Sequence, residues 1–359
     1  MLDIRPPQPR KGRGAIGNPD GRFEPHVRVA IDDGWAPADD DLPPLRTTVT
    51  TDAARTIITR NDSPDVPFEQ SVNPYRGCEH GCIYCYARPS HGYLGLSTGL
   101  DFETQLFAKP NAASLLAAAL RKPGYRVSPI ALGTNTDPYQ PIERAMRITR
   151  SILEVLAAFE HPVSIVTKSA LVLRDLDILA PMAEKRLARV FISVTTLDRD
   201  LARKMEPRAA TPARRIEAIR TLAAAGVPVG VMVAPIIPVL NDREMESILA
   251  AAHDAGATSA AYVLLRLPFE IKDLFTEWLE THAPLKAKHV LSLVRDVRGG
   301  RLNDPNFGTR MRGDGPYAEL IAKRFRLACT RLGLGGRDWS FDTTRFRVPP
   351  APGDQLTLL

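Results

Sequence analysis

Short apolar runs alternate with helical segments between residues 71 and 268. Six of these runs read as strands, at 71–76, 129–134, 163–167, 190–195, 229–234 and 260–265. After the first, they begin 27 to 39 residues apart, a spacing that leaves room for a helical crossover between parallel strands. The pattern therefore predicts an α/β protein with a parallel sheet, and by itself it does not separate a doubly wound sheet from a barrel.

The helical segments carry signals for their ends as well as apolar spacing. Pro141 begins a predicted helix whose apolar positions form one buried face, namely Ile142, Met146, Ile152, Leu153 and Leu156. A second predicted helix has Thr211 as its cap and Pro212 at its first position. It ends at Gly226, and a third helix from 241 ends at Gly256, because glycine readily takes the left-handed conformation that closes a helix.

Three of the four cysteines stand in one run of eight residues, Cys78-Glu-His-Gly-Cys82-Ile-Tyr-Cys85. Structural zinc normally has four nitrogen or sulfur ligands, commonly in two separated pairs, and no second pair follows this triplet. Thiolates select zinc or iron–sulfur clusters, and a 4Fe-4S cluster with three cysteine ligands keeps one iron open to a non-protein ligand. The alternative is a zinc knuckle completed by His80, His91 or Cys329, since a fourth ligand can come from far along the chain.

The Cys-x3-Cys-x2-Cys spacing, with Tyr84 just before the last cysteine, resembles the signature of the radical S-adenosylmethionine (SAM) superfamily. Further stretches resemble its branch related to spore photoproduct lyase, often labelled DNA repair photolyase-like: Thr-Asn-Thr-Asp-Pro-Tyr-Gln, Val-Thr-Lys-Ser, Ser-Val-Thr-Thr-Leu-Asp and Met-Glu-Pro-Arg. The likeness covers roughly residues 70–268. It implies a partial (β/α)6 TIM-like barrel with the cysteine loop just after the first strand.

The same resemblance implies a 4Fe-4S cluster held by Cys78, Cys82 and Cys85. It also implies SAM as the second cofactor and a reductant of the flavodoxin or ferredoxin type. Reductive cleavage of SAM would produce a 5′-deoxyadenosyl radical that abstracts hydrogen from a substrate, with a nucleic acid as the candidate. The alternative function is a zinc-stabilised, non-catalytic nucleic-acid-binding protein.

Polar residues close the predicted strands, at the end of the sheet where parallel α/β proteins place their active sites. By the resemblance, residues Tyr84, Gly133, Asn135, Thr136, Asp137, Lys168 and Ser193 would line the SAM site. The residue types suit this role, because SAM offers an ammonium, a carboxylate and ribose hydroxyls. Each has an ordinary alternative: Asp137 precedes a proline as turn starters do, Lys168 would be a solvated lysine, and Ser193 a core hydroxyl.

The chain departs from spore photoproduct lyase in its cysteines. That enzyme uses an additional cysteine as a hydrogen-atom donor, whereas no cysteine lies here between Cys85 and Cys329. The apolar spacing of Ile321, Phe325, Cys329 and Leu332 favours a buried core thiol at Cys329. Thymine-dimer repair itself is therefore in doubt, and a tyrosine near the cluster loop, Tyr75, Tyr86 or Tyr93, is the alternative hydrogen relay.

The chain has a different character on each side of the alternating region. Residues 1–70 hold ten of the 31 prolines, a basic opening at 10–14 and an acidic patch at 39–41, which predicts an irregular arm lying across the catalytic domain. Residues 269–359 read as a helical extension with helices at 269–281, 285–298 and 317–332. We therefore expect an arm at 1–70, a barrel at 71–268 and an extension at 269–359.

Positive charge is concentrated in the extension. Residues 286–347 contain 14 Lys and Arg against six Asp and Glu, a net charge of +8, while the whole chain carries +6. Arginines and lysines at 310, 312, 323, 324, 326, 331, 337, 345 and 347 accompany aromatics at 307, 317, 339, 341 and 346. This mixture is able to contact phosphates and stack on bases, and the alternative is a solvated helical cap whose aromatics are buried.

Composition and the length of the apolar runs argue against a membrane-spanning protein. With 44% hydrophobic and 25% charged residues, the chain resembles a globular protein. The longest nearly apolar run, 226–240, contains three prolines and is too short to span a bilayer. We expect a cytoplasmic protein with reduced thiols and no membrane partner.

Overall fold

The computed structural model describes residues 8–24, 44–335 and 339–350. Within them the strands, numbered in chain order, are β1 Thr48–Thr51, β2 Ile58–Arg60, β3 Gln70–Val72, β4 Tyr75–Arg76, β5 Gln105–Ala108, β6 Ile130–Leu132, β7 Val163–Thr167, β8 Ala188–Ser193, β9 Val229–Ile236 and β10 Ser259–Leu264. The helices are α1 Asp101–Thr104, α2 Ala112–Leu120, α3 Glu143–Met146, α4 Ile148–Ala158, α5 Leu176–Glu184, α6 Arg199–Met205, α7 Pro212–Ala224, α8 Met245–Asp254, α9 Ile271–His282, α10 Pro284–Asp296 and α11 Pro316–Leu332.

The main sheet has the order β10-β9-β8-β7-β6-β3-β2. Neighbouring strands from β3 to β10 pair in parallel, and β2 pairs antiparallel with β3. These six parallel strands with helical crossovers confirm the predicted α/β class and are consistent with an open partial barrel. A smaller sheet of order β1-β5-β4 lies beside it.

All six predicted strands are present, with one internal break. The run 71–76 divides at Asn73 and Pro74 into β3 and β4, and β4 leaves the main sheet to pair antiparallel with β5. Proline has no amide hydrogen to continue the β3 ladder. The break turns the chain away from the barrel wall just before the cysteine loop.

The helix predicted from Pro141 is interrupted, and one of its core positions is wrong. Arg147 takes a left-handed conformation with φ of 53° and separates α3 from α4. Met146, expected on the buried face, is 44% exposed, while Ile152, Leu153 and Leu156 are buried. The ends at Gly226 and Gly256 are confirmed, with φ of 75° and 98°.

Two large hydrophobic clusters organise the interior. The larger contains the buried faces of the main sheet and its helices, and Ile321, Ala328 and Cys329 of α11 belong to it. The second joins Ala15 and Ile16 of the N-terminal segment to the cysteine loop and to the buried faces of α9 and α10. The N-terminal segment and helices α9 and α10 thus pack on the region that the cysteine triplet occupies.

Parts of the sequence predictions lie outside the described residues, namely the acidic patch at 39–41 and Arg337. The division at 70 and 268 stays a prediction. Among the described residues, no helix combines the length and apolar character needed to cross a bilayer.

Candidate active site

The cysteine loop follows β4 and is shaped by two glycines with positive φ. Gly77 has φ of 74°, and a Cβ there would lie 2.6 Å from Leu106 Cδ2. Gly81 has φ of 67°, and a Cβ would lie 2.7 Å from Glu103 Oε2. A larger residue at either position would be strained and would displace the loop.

A buried arginine holds the inner side of this loop. The Arg88 guanidinium donates to the carbonyls of Cys82 at 2.9 Å and Gly81 at 3.1 Å, and also to those of Thr98 and Gly99. It forms an ion pair with Glu103, and both side chains are fully buried. The loop backbone at the second cysteine is therefore fixed by charge-assisted hydrogen bonds.

The N-terminal segment completes the support from the other side. The Glu103 carboxylate accepts hydrogen bonds from the backbone amides of Gly14 at 2.9 Å and Ala15 at 2.8 Å. A Cβ at Gly14 would lie 1.8 Å from the carbonyl oxygen of Gly81. Arg13, part of the basic opening, is 7% exposed and donates to the backbone carbonyls of Glu103 and Leu45. Residues 13–15 therefore lie against the elements that support the cysteine loop.

The three thiols lie in surroundings where a thiolate would need a compensating positive charge. Cys78 and Cys82 are buried and Cys85 is half-buried. Burial raises the pKa of all three, while backbone amides, Asp137 to Cys78 and Ala87 and Arg88 to Cys85, act in the opposite direction. Iron would supply the missing positive charge, and amide donors to sulfur are typical of iron–sulfur sites. The donor set therefore fits a cluster.

Cys329 and His91, two of the candidate fourth ligands for zinc, are engaged away from the cysteine triplet. In the described ranges, no three His, Cys, Asp or Glu side chains are arranged to hold one metal ion, whereas each thiolate of a cubane binds a different iron. Cys329 belongs to the core with α11. His91 Nε2 lies 2.9 Å from the Gln105 carbonyl, with its ring packed on Phe102.

Asp137 connects the ends of two strands to the cysteine loop. Its Oδ1 accepts from the Thr167 hydroxyl at 2.7 Å, and its Oδ2 accepts from the Lys168 amide at 2.8 Å and lies 3.3 Å from His80 Nδ1. Burial opposes ionisation, but His80 and these donors lower the pKa of the carboxyl to about 2. Both oxygens are thus engaged within the chain, which makes Asp137 a positioning residue.

Lys168 lies next to the aromatic ring that precedes the third cysteine. Its ammonium is 5.8 Å from the ring centroid of Tyr84, 3.9 Å from Glu206 Oε1 and 3.5 Å from the Ala234 carbonyl. Burial lowers the pKa of Lys168, and nearby Cys82 counteracts this. These contacts are long, so the ammonium keeps capacity to bind an anionic group.

A second buried ion pair supports Tyr84 from behind. Glu206 accepts hydrogen bonds from the Tyr84 hydroxyl and from Thr195 Oγ1, and it pairs with Arg215. Arg215 also donates to the carbonyl of Ser193 at 3.1 Å. The end of β8, the cysteine loop and the start of α7 are therefore joined through Glu206.

The other predicted SAM residues lie at the same edge of the sheet. Gly133 has φ of 89°, and a Cβ there would lie 2.0 Å from the Val166 carbonyl. The Thr136 hydroxyl donates to the Tyr75 carbonyl at 3.3 Å. Within the described chain, the side chains of the half-buried Asn135 and the buried Ser193 have no hydrogen-bond partner, so both keep their polar groups for a ligand.

Several residues have supporting roles that the sequence did not assign to them. Asn73 Oδ1 accepts from the Asn135 amide at 3.0 Å, and Glu103, Glu206 and Arg215 form the buried pairs described above. Asn73 stands between a strand and the cysteine run, a position that signals a site. Glu206 lies in the Met-Glu-Pro-Arg stretch, but its pairing with Arg215 has no local signal, because the partners of a buried pair come from separate elements.

The hydrogen-relay candidates are separated by the fold. Cys329 is 7% exposed within the core, as predicted, and Tyr75 is fully buried against Glu143. Tyr93 is 73% exposed and packs beside Phe23. Tyr86 follows the third cysteine, donates to the Thr134 carbonyl after β6, and has the Arg266 guanidinium 4.8 Å from its ring centroid.

Comparisons with known proteins agree with this geometry. A family model described as the radical SAM superfamily matches residues 72–252. Uncharacterized proteins of Mycobacterium tuberculosis and Mycobacterium bovis are 39% identical over 266 residues, which cover 73% of this chain and 76% of each relative. An uncharacterized protein of Methanocaldococcus jannaschii is 30% identical, over 48% of this chain and 62% of its own length.

Among solved structures, spore photoproduct lyase complexed with dinucleoside spore photoproduct matches with a TM-score of 0.56 and 17% identity over 79% of both chains. A mutant of that lyase with bound AdoMet and the same dinucleoside matches equally well. This likeness concerns the fold. With the family match and the cysteine loop at the carboxyl edge of the sheet, it places the chain in the radical SAM superfamily.

Proposed function

We propose that this chain is a radical SAM enzyme that acts on a nucleic acid. Cys78, Cys82 and Cys85 would hold the 4Fe-4S cluster, and SAM would bind between the cluster and the ends of β6, β7 and β8. The observation that carries the proposal is the cysteine loop itself, in which three thiols are tied between two buried ion pairs, Arg88 with Glu103 and Glu206 with Arg215.

The cluster and SAM together would supply a 5′-deoxyadenosyl radical, which abstracts a hydrogen atom. The chain's own residues bind and orient the cofactor. Lys168 would receive the carboxylate of SAM, since its ammonium has only long contacts within the chain. Asn135 and Ser193 would bind the ammonium or the ribose hydroxyls. Asp137 would position Lys168 through the Lys168 amide.

The nucleic-acid substrate is proposed from the likeness to spore photoproduct lyase, which binds a dinucleoside photoproduct. The reaction outcome is expected to differ, because the described site lacks a cysteine beyond the three ligands. We assign the hydrogen relay, if the reaction needs one, to Tyr86, because it spans from the cysteine loop to the end of β6.

Anaerobic reconstitution with iron and sulfide tests the cofactor assignment. We expect about four irons per chain and production of 5′-deoxyadenosine from SAM under dithionite. A colourless protein that retains zinc and does not cleave SAM would overturn the proposal in favour of the zinc-stabilised binding protein.

Turnover with deuterated DNA, RNA and peptide pools tests the substrate class. We expect deuterium from a nucleic-acid pool in the deoxyadenosine product, and a binding affinity for oligonucleotides that falls as salt rises. Transfer from peptides alone would contradict the nucleic-acid assignment while leaving the radical SAM assignment intact.

A further inference from the structure

A cleft of about 590 Å³ opens beside the cysteine loop, on the side of β7. His80 of that loop lines it, together with the segment after β7 and the connection between α6 and α7. Leu171 and Leu173 contribute apolar walls, and three arginines, Arg144, Arg208 and Arg214, line its remaining sides. None of the residues assigned to the SAM site lines this cleft.

The charge of this cleft is only partly compensated. Arg208 Nη2 lies 3.1 Å from Glu79 Oε1. Arg144 and Arg214 are both exposed. Within the described part of the chain, their side chains have no ion-pair or hydrogen-bond partner. Two free guanidinium groups therefore stand at a concave, partly apolar surface. Such an arrangement produces a focused positive potential that attracts an acidic partner.

The cleft is linked to the cysteine loop by direct contacts. His80 stands between Cys78 and Cys82, its side chain is 3% exposed, and its carbonyl accepts from the Arg208 amide at 3.3 Å. His80 Nδ1 faces Asp137 at 3.3 Å without a properly directed hydrogen bond. A molecule seated in the cleft would therefore be separated from the cysteines by little more than one imidazole ring and the loop backbone.

We propose that this cleft is the docking site for the acidic one-electron donor protein that reduces the cluster. The proposal rests on the proposed function, and it assigns a surface to the reductant. An apolar centre with a charged rim suits a redox encounter, which is small and transient and is steered by complementary charge. In the electron transfer that would follow docking, the donor would lose one electron and the iron–sulfur group would gain it. No proton would move, and no covalent bond would form or break.

A comparison of charge-reversed variants tests the docking site. The double variant Arg144→Glu/Arg214→Glu removes the two free positive charges. The matched control is Lys122→Glu/Lys288→Glu, which makes the same change in net charge at exposed positions just after α2 and within α10. Each protein is titrated with an oxidised acidic flavodoxin and with an acidic ferredoxin by calorimetry, at low and high salt. Reduction of the cluster is then followed by its absorbance, with the reduced donor protein and separately with dithionite.

We expect the cleft variant to lose about tenfold or more in donor affinity and in reduction rate at low salt, because rim charges govern association rates. Dithionite should reduce it normally, and the control should behave as the unchanged chain. If the charge-reversed variant is also reduced more slowly by dithionite, the neutral variant Arg144→Gln/Arg214→Gln is tested in its place. We then expect a smaller loss of donor affinity and reduction rate.

The outcomes separate the two proposals. Unchanged donor affinity and reduction rate in the cleft variants would overturn the docking site and leave the proposed function standing. A loss of oligonucleotide affinity without a loss of donor affinity would also overturn it and make the cleft a phosphate contact. Failure of the unchanged chain to cleave SAM even with dithionite would instead overturn the proposed function.

Discussion

The cysteine loop and the basic C-terminal region use charged residues in opposite ways. In the loop, Arg88 and Glu103 are fully buried and hold backbone that carries no charge of its own. In the C-terminal region, some arginines make partly exposed pairs between elements, such as Arg324 with Glu246 and Arg310 with Asp65. The first arrangement fixes a site, and the second attaches helices and loops to the barrel.

The aromatic residues of the C-terminal region are similarly engaged. Phe346 packs against Tyr125 and His161, and Trp339 packs against Phe341 next to Arg189. These contacts favour the alternative in which much of the basic and aromatic region is a helical cap packed on the barrel. A residue type at a fixed spacing therefore locates chemistry better than a regional excess of charge.

Removal of one cysteine should have the largest effect. Cys82→Ala should lose the intact cluster and all 5′-deoxyadenosine formation, because three thiolates are the minimum that leaves a single iron open. Iron analysis and product chromatography measure this. Cys329→Ala, which removes a core thiol, is the control and should retain iron. SAM cleavage by Cys82→Ala at the native rate would separate the cysteine loop from the cofactor.

Breaking the buried pair beneath the loop should rank second. Arg88→Met leaves the Glu103 carboxylate buried without its partner, which costs about 3–5 kcal/mol of unfolding free energy. Denaturant unfolding of the metal-free protein measures this without the cluster. The matched change Arg220→Met breaks a half-exposed pair with Glu217 and should cost about 0–1 kcal/mol. Equal losses in the two variants would contradict the contrast between the regions.

A cofactor contact should have an intermediate effect. Lys168→Ala should weaken SAM binding by roughly 10- to 100-fold, the worth of a hydrogen bond to a charged group. Iron content should not change, since the ammonium touches no cysteine. Equilibrium binding of SAM to the reconstituted protein measures the effect. An unchanged dissociation constant would remove Lys168 from the SAM site.

The smallest effects are expected in the C-terminal region. Arg324→Ala should lower the unfolding free energy by about 1 kcal/mol, because it loses Glu246 and the Asp242 carbonyl. It should leave oligonucleotide affinity unchanged. Arg326→Ala, on an exposed position of the same helix, should change stability by less than about 0.5 kcal/mol. A large loss of oligonucleotide affinity in Arg324→Ala would show that the paired arginines also contact nucleic acid.

The sequence was informative where a local pattern carries the structure. The strand runs and the helix ends at glycine are local patterns, and both were confirmed. The spacing of Cys78, Cys82 and Cys85 is also a local pattern. The break at Arg147 was missed, because the apolar spacing continues through it. The partner of Arg88 could not be read from the pattern, since buried pairing depends on which elements meet, and arginine in a loop is usually solvated. The position of Lys168 beside Tyr84 likewise depends on the packing of separate elements.

The Glu103 carboxylate binds the N-terminal segment through the backbone amides of Gly14 and Ala15. These two amides place no demand on side chains, but the buried Arg13 guanidinium, which donates to the Glu103 carbonyl, and Gly14, where a methyl group would collide with a carbonyl, both do. An ancestral or designed variant of this protein is therefore expected to keep an arginine followed directly by a glycine here, since the pair closes the outer side of the cysteine loop.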